Sequence, residues 1–383
     1  MSRTRVLALA SLLTALLFTR PAAAQTTGTI VGTVVEKDSG NKLSGVTVML
    51  QGPQGEQGTV TGDDGSYEFT ALPLGRYLVR FYYADVAVEQ PEVEVSVDKK
   101  VRVNARMPTA AVETVKVVEK APVVDVGSSR VGVTFDQQLI RNVPLSATVG
   151  GMLEKAPGAF IEPTPFYNPP STALSFAGTT GAENAYILDG VNVTSVTFGT
   201  LGFDIASPFI HEVEIVTGGY GAEYGRAMGG VVNVATKSGS NEWKGSVESL
   251  VTPGFLTAEP RRVYSWSTSL TSVERRQYLL NFGAEAGGPI IKDKLFIWVG
   301  YAPELGRSRN VRYVSRFFDN DNDGRPDGAN GIPTLQELGR SDHNGHVTSH
   351  QYAAKLSYRL APEHNLSLGF YGINGENEIM RTP

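Results

Sequence analysis

Residues 209–239 read FIHEVEIVTGGYGAEYGRAMGGVVNVATKSG, and most of the fold follows from this stretch. Ile210 to Thr217 alternates polar and apolar residues, as a strand with two unlike faces does. Val231 to Thr236 is a second, more apolar strand. Between them glycine stands at 218, 219, 221, 225, 229 and 230, a density that permits tight turns and close backbone approach. The stretch is not a nucleotide-binding loop. Gly219-Tyr220-Gly221 is followed by Tyr224 where a dinucleotide fingerprint needs glycine, and the lysine of a P-loop is missing.

Working toward the N-terminus, Ala185 to Leu188 is a third strand, closed by the turn pair Asp189-Gly190. Thr134 and Gln137 stand at capping-box spacing and Pro144 follows, which predicts a short helix over 135–141. A second helix is predicted over 148–155, stopped by Ala156-Pro157-Gly158. Together, residues 127–240 read as one α+β domain.

Residues 25–108 are different. Val46, Val48 and Leu50 share one strand face, as do Tyr77, Val79 and Phe81, then Val93, Val95 and Val97, then Val101 and Val103. Turn signals at Asp38-Ser39-Gly40-Asn41, Gly52-Pro53, Asp63-Asp64-Gly65 and Pro73-Leu74-Gly75 separate them. The spacing predicts a seven-stranded β-sandwich.

Toward the C-terminus, residues 241–383 alternate again. Tyr278, Leu280, Phe282, Ala284 and Ala286 oppose Gln277, Leu279, Asn281, Gly283 and Glu285. Tyr352, Ala354, Leu356, Tyr358 and Leu360 oppose Gln351, Ala353, Lys355, Ser357 and Arg359, and Leu366, Leu368 and Phe370 oppose Asn365, Ser367 and Gly369. Apolar-out, polar-in strands are what a lipid-facing barrel with a wet lumen demands. Connections expected to be short lie at 287–293 and 361–364, and long ones near 253–276 and 302–350. About five strands fit in this region. The fold class is therefore mainly β: sandwich, α+β domain, then the opening strands of an antiparallel barrel.

The ends and the composition bound the rest. Arg3 and Arg5, the apolar run Val6 to Phe18, and Ala22-Ala23-Ala24 before Gln25 make residues 1–24 a secretory signal peptide. The chain of 383 residues has no cysteine, which excludes disulfides, thiol nucleophiles and a lipoprotein anchor; a net charge of −5 argues against nucleic acid as a partner. No Ser/His/Asp, zinc-protease or P-loop set is legible, so no enzyme is expected and no cofactor is required.

Three segments now carry resemblances. GTIVGTVVEKDSGNKLSGVTVML (28–50) and TGDDGSYEFTALPLGRYLVRF (61–81) resemble the carboxypeptidase-regulatory-like, transthyretin-like domain. No peptidase comes with it, since none of the five histidines is followed by Glu three residues on. VGGMLEKAPGAF (149–160), SFAGTTGAENAYILDGVNV (175–193) and the 209–239 stretch resemble the plug of TonB-dependent outer-membrane receptors. NFGAEAGGPIIKDKLFIWVGYAPE (281–304) resembles the first hairpin of Oar-like members of that family. The resemblance implies energised outer-membrane transport of a large or scarce substrate, with export or surface adhesion as the alternative. It places the chain in the outer membrane of a Gram-negative bacterium, with the sandwich in the periplasm. The family barrel has about 22 strands, so the reading expects a truncated or incompletely predicted product.

The linker 109–126 includes AAVETVKVVEKAPVVDV (110–126), extended in preference and without a local hairpin. Glu113, Thr114, Val115, Lys116, Val117 and Val118 resemble a TonB box, although Lys116 interrupts the usual run of valine. Such a segment is engaged by β-augmentation, here by the TonB C-terminal domain, and is expected to be unpaired at rest. Finally, Asp319, Asp321, Asp323 and Asp327 occupy positions 1, 3, 5 and 9 of a calcium loop with Gly324 at position 6. Asn330 replaces the bidentate glutamate, so a weak extracellular Ca2+ site is expected. His343, His346 and His350 are placed in the same outer loop, as ordinary surface histidines.

Overall fold

The computed structural model describes residues 27–108, 115–116, 130–143, 147–161, 174–222, 224–225, 227–258, 270–318, 334–361 and 364–378. Residues 1–24 and the four calcium-loop aspartates lie outside them.

The N-terminal part is a sandwich of two sheets. Its strands are β1 (Gly28–Glu36), β2 (Thr47–Gly52), β3 (Gly55–Val60), β4 (Ser66–Leu72), β5 (Gly75–Tyr83), β6 (Val86–Val95), β7 (Lys100–Arg102) and β8 (Ala105–Met107). One sheet runs β4-β1-β7 with β8 also on β1; the other runs β3-β2-β5-β6 and ends in β9 (Val115–Lys116). The inward residues of both sheets form one core: Ile30 and Val34 from β1, Val48 and Leu50 from β2, Phe69 from β4, Val79 and Phe81 from β5. The alternation in the sequence is the burial pattern of the fold. The strand count differs by one from the seven expected. β7 and β8 both lie parallel to β1, and they are one strand interrupted where the Asn104 side chain accepts from the Thr33 N–H at 3.0 Å. A side chain there takes a ladder position that a backbone carbonyl would otherwise fill.

The central part is a five-stranded sheet. Its elements are β10 (Val131–Phe135), α1 (Gln137–Asn142), α2 (Val149–Leu153), the pair β11 (Ala159–Ile161) and β12 (Leu174–Phe176), then β13 (Ala185–Leu188), β14 (Val191–Asn192), β15 (Ile210–Gly218) and β16 (Val231–Thr236). The order is β10-β15-β16-β13-β14, antiparallel except for β13 beside β16. The first helix is capped by Asp136, whose carboxylate accepts from the Leu139 N–H at 2.7 Å. The capping box expected from Thr134 does not form, because Thr134 is still strand, paired with Glu214. Asp189 and Gly190 both take positive φ, the mark of a tight hairpin turn between β13 and β14.

The last part is an open antiparallel meander of five strands, β17 (Lys244–Pro253), β18 (Leu270–Ile291), β19 (Leu295–Phe318), β20 (Thr334–Ala361) and β21 (His364–Glu378). These strands outrun the sequence reading. The stretch 302–350, expected as a long loop, is largely the paired upper halves of β19 and β20, which pair up to Phe318 opposite Thr334 with one register shift between Val314 and Ser315. His343, His346 and His350 therefore stand on β20, not in a loop. The extensions escaped notice because they carry polar residues on both faces. The buried apolar cluster beside them is small, Val273, Val311 and Tyr313, and is too short to impose an alternation along the strands.

Candidate functional site

The inward face of the strand wall meets the central sheet. Lys355, on the polar face of β20, is 8% exposed and puts its ammonium 2.9 Å from Asp189 Oδ1. Thr236 donates through N–H (3.0 Å) and through Oγ1 (2.5 Å) to the same carboxylate, and the Tyr371 hydroxyl of β21 donates to it as well. Burial alone would push Asp189 up; Lys355 and the donated hydrogen bonds outweigh it and hold the carboxyl below its ordinary range. Asp189 can occupy this place because the turn that ends β13 aims it at the wall. His211, at the start of β15, is half-buried beside this cluster, and desolvation with the nearby Lys355 and Lys237 pushes its imidazole down to about 4.

A second polar lock sits one strand away. Lys237, just after β16, reaches Glu285 Oε1 on β18 at 2.9 Å. Ser246 Oγ and Trp298 Nε1 donate to the same carboxylate at 2.8 and 2.7 Å. Higher up, Gln351 Oε1 accepts from the Ala206 N–H at 2.8 Å.

Between these locks the contact is close and apolar. Phe209 stacks edge-on against Trp298, centroids 5.6 Å apart. Gly300 and Gly283 make room for it. A Cβ on Gly300 would lie 2.5 Å from the Phe209 ring, and one on Gly283 would lie 2.3 Å from Pro208. Trp298, Ala302 and Ala353 of the wall belong to the same buried core as Phe209, Val213 and Val232 of the central domain. Meanwhile Tyr278, Phe282, Tyr352, Tyr358, Leu366, Leu368 and Phe370 are exposed on the other face. The wall thus has one face that holds a domain and one apolar face that meets no part of the described chain.

Of the sequence-predicted coupling residues, Val115 and Lys116 are placed, while Glu113, Thr114, Val117 and Val118 lie outside the described residues. Val115 and Lys116 pair parallel with Val88 and Glu89. The expectation of an unpaired segment is corrected for these two. An edge strand offers free N–H and C=O groups to any extended neighbour, and without β9 the sheet would end at β6. Sequence reasoning had no means of finding this pairing, since the partner is distant along the chain and parallel. The plug–wall locks were half legible: the polar face of each strand was assigned, but not its partners. Among the described residues no cluster of three or more His, Asp or Glu is poised to hold a metal.

Comparison with known proteins agrees with this architecture. Residues 29–108 match the carboxypeptidase regulatory-like domain and residues 125–231 the TonB-dependent receptor plug domain. Over 351 residues the chain is 32% identical to the TonB-dependent transporter Oar of Myxococcus xanthus, covering 90% of this chain and 33% of that protein. The chain therefore spans about a third of the length of the curated relative it matches. Solved structures with some likeness include the alcaligin outer-membrane receptor FauA of Bordetella pertussis (17% identity, 67% of this chain, 40% of that one, TM-score 0.38). The siderophore receptor PirA of Acinetobacter baumannii is another (14% identity, 59% and 37% covered, TM-score 0.33). With a carboxypeptidase regulatory-like domain, a plug and a wall of barrel-type strands in that order, the chain belongs with the Oar-like TonB-dependent receptors.

Proposed function

We propose that the protein serves TonB-dependent transport across the outer membrane of a Gram-negative bacterium, energised from the periplasmic side and directed at the uptake of a large or scarce substrate. The observation that carries this reading is the two-faced wall. A plug is held on its polar face by Asp189–Lys355 and Lys237–Glu285, and an apolar face is left for lipid. Attachment through a few charged pairs suits a plug that must move. Pulling such a pair apart lets water into a contact that water solvates well, whereas a wholly apolar seam gives up its buried area on opening. Residues 1–24 direct export, the sandwich lies in the periplasm, and the TonB C-terminal domain adds a strand to Glu113–Val118. Calcium binding by Asp319, Asp321, Asp323 and Asp327 is a further element of the reading, on the outer side.

The coupling step has a direct test. Main-chain hydrogen bonds supply most of the affinity in strand addition, so a backbone block should matter more than a side-chain change. A TonB C-terminal domain from the same organism should bind the chain, Val115→Pro and Val117→Pro should weaken binding by about tenfold or more through the lost donor, and Val117→Ile should bind as the parent does. If the parent shows no binding by calorimetry, or both proline variants match it, the segment is a linker and energised transport loses its coupling point.

A further inference from the structure

The turn between β6 and β7 sets Ser96, Val97, Asp98 and Lys99 against the plug, and a separate contact is made by Gln54, whose Nε2 donates to the Gly239 carbonyl at 3.2 Å. The Val97 N–H donates to Glu212 Oε1 at 3.3 Å. Lys99 donates to Thr134 Oγ1 at 2.7 Å and lies 3.7 Å from Glu214 Oε1. The Asp98 carboxylate accepts from the Arg130 guanidinium and from the Tyr224 hydroxyl, the latter at 3.2 Å. Asp98 adopts φ +53°, a left-handed turn conformation that aspartate tolerates better than most residues.

What these contacts hold is the beginning of the plug. Arg130 immediately precedes β10, the edge strand of the plug sheet, and Thr134 lies within it. Glu212 and Glu214 lie on β15, the strand that β10 pairs with. The chain leaves the first sandwich sheet at Met107, returns to the second as β9 on β6, and is held by Asp98 at Arg130, so both ends of residues 108–129 are anchored on the sandwich. β9, on β6, lies between those two anchors. Tension travels along the backbone until it meets a fixed point. Among the described residues, the first fixed point on the plug side of Lys116 is the Arg130–Asp98 pair, ahead of the five β10 residues in ladder with β15.

We propose that the Val97–Lys99 turn is a clasp, by which the sandwich grips the start of the plug so that force entering at the coupling segment is borne by Asp98 and Arg130 before it reaches β10. The role of 113–118 as the point of force entry rests on the proposed function above; the clasp itself does not. A charge-assisted pair is strong over a short distance and fails within a few ångströms of extension. The clasp is therefore a threshold. Small fluctuations in pull leave the plug untouched, and a sustained pull frees the sandwich first and loads β10 afterwards.

The chain has no cysteine, so single attachment points can be introduced cleanly. With Lys116→Cys and Ser367→Cys as the two handles, the whole chain in detergent micelles is pulled in an optical trap. The parent should show an early rupture before the plug unfolds. Asp98→Asn keeps the shape and removes the charge, and it should lower that early force by about half. Arg130→Gln should do the same, and Arg130→Lys should retain part of it. Far-UV circular dichroism and the forces of the later plug ruptures report whether each variant is folded. An early rupture unchanged in folded Asp98→Asn and Arg130→Gln, or no rupture before plug unfolding in the parent, overturns the clasp. Because the pull is applied through the handle, the result does not depend on TonB. Failure of TonB to bind would remove the proposed transport coupling and leave this measurement decisive for the clasp.

Discussion

Asp189 joins the plug to two strands of the wall at once, since Lys355 and Tyr371 both converge on it while Thr236 of the plug donates to the same carboxylate. Such a site is asymmetric to mutation. Removing one partner leaves the other charge buried without compensation, which costs about 3–5 kcal/mol, whereas removing both charges together costs far less. Lys355→Met should therefore destabilise the plug–wall contact by about that amount, and Asp189→Asn combined with Lys355→Met should recover most of the loss. Urea unfolding followed by Trp298 fluorescence reads this, because Trp298 is buried against Phe209 at the same seam. Equal loss in the single and double variants would mean the pair contributes shape rather than charge compensation.

Among the elements, β15 is the instructive strand. Its sequence, His-Glu-Val-Glu-Ile-Val, reads as a half-exposed strand with a polar outer face. Val213 and Ile215 do enter the plug core, but Glu212 and Glu214 are only 3% and 6% exposed because the sandwich covers them. Alternation gives the side to which a residue points and not what lies on that side. The upper halves of β19 and β20 were hidden for a different reason, the lack of any alternation to read. The acidic segment between those two strands carries its own prediction, argued from spacing. Four carboxylates at alternate loop positions repel one another until a cation neutralises them. A peptide spanning 311–333 should bind calcium more weakly than about 1 µM by calorimetry, and Asp321→Asn should weaken it further. No heat at millimolar calcium would make the segment a plain solvated tip.

For the whole molecule, the docking of sandwich on plug should depend on pH. Burial raises Glu212 to about 7; Lys99 and the Val97 N–H oppose this, and Glu214 reinforces it. Glu214 is also raised, by burial first. Ser96, Asp98 and Arg130 are the other polar groups beside them. A carboxyl raised in the docked state and ordinary when released favours docking at low pH. The contact is strongest below about 4.5, weakens as pH rises to about 7, and is level above that, a span on the order of 3 kcal/mol from Glu212. Distances between spin labels on sandwich and plug, followed from pH 4.5 to 8, should lengthen over that window, and Glu212→Gln should flatten the change. A Glu212→Gln profile that overlays the parent would place the titration elsewhere.

The sequence by itself determined the order of the parts, the inward face of each sandwich strand, the plug strands at 185–188, 210–217 and 231–236, and which face of the wall is polar. All of these are periodicity or turn chemistry, local properties that each segment expresses wherever it sits. Only the tertiary structure decided that Lys355 finds Asp189, that Gly300 admits Phe209, that Glu212 and Glu214 lie under the sandwich, and that Val115 and Lys116 pair with β6. Each of these joins residues far apart along the chain. Such pairings are chosen by the packing of whole domains, and a side chain's own neighbours in the sequence hold no record of them.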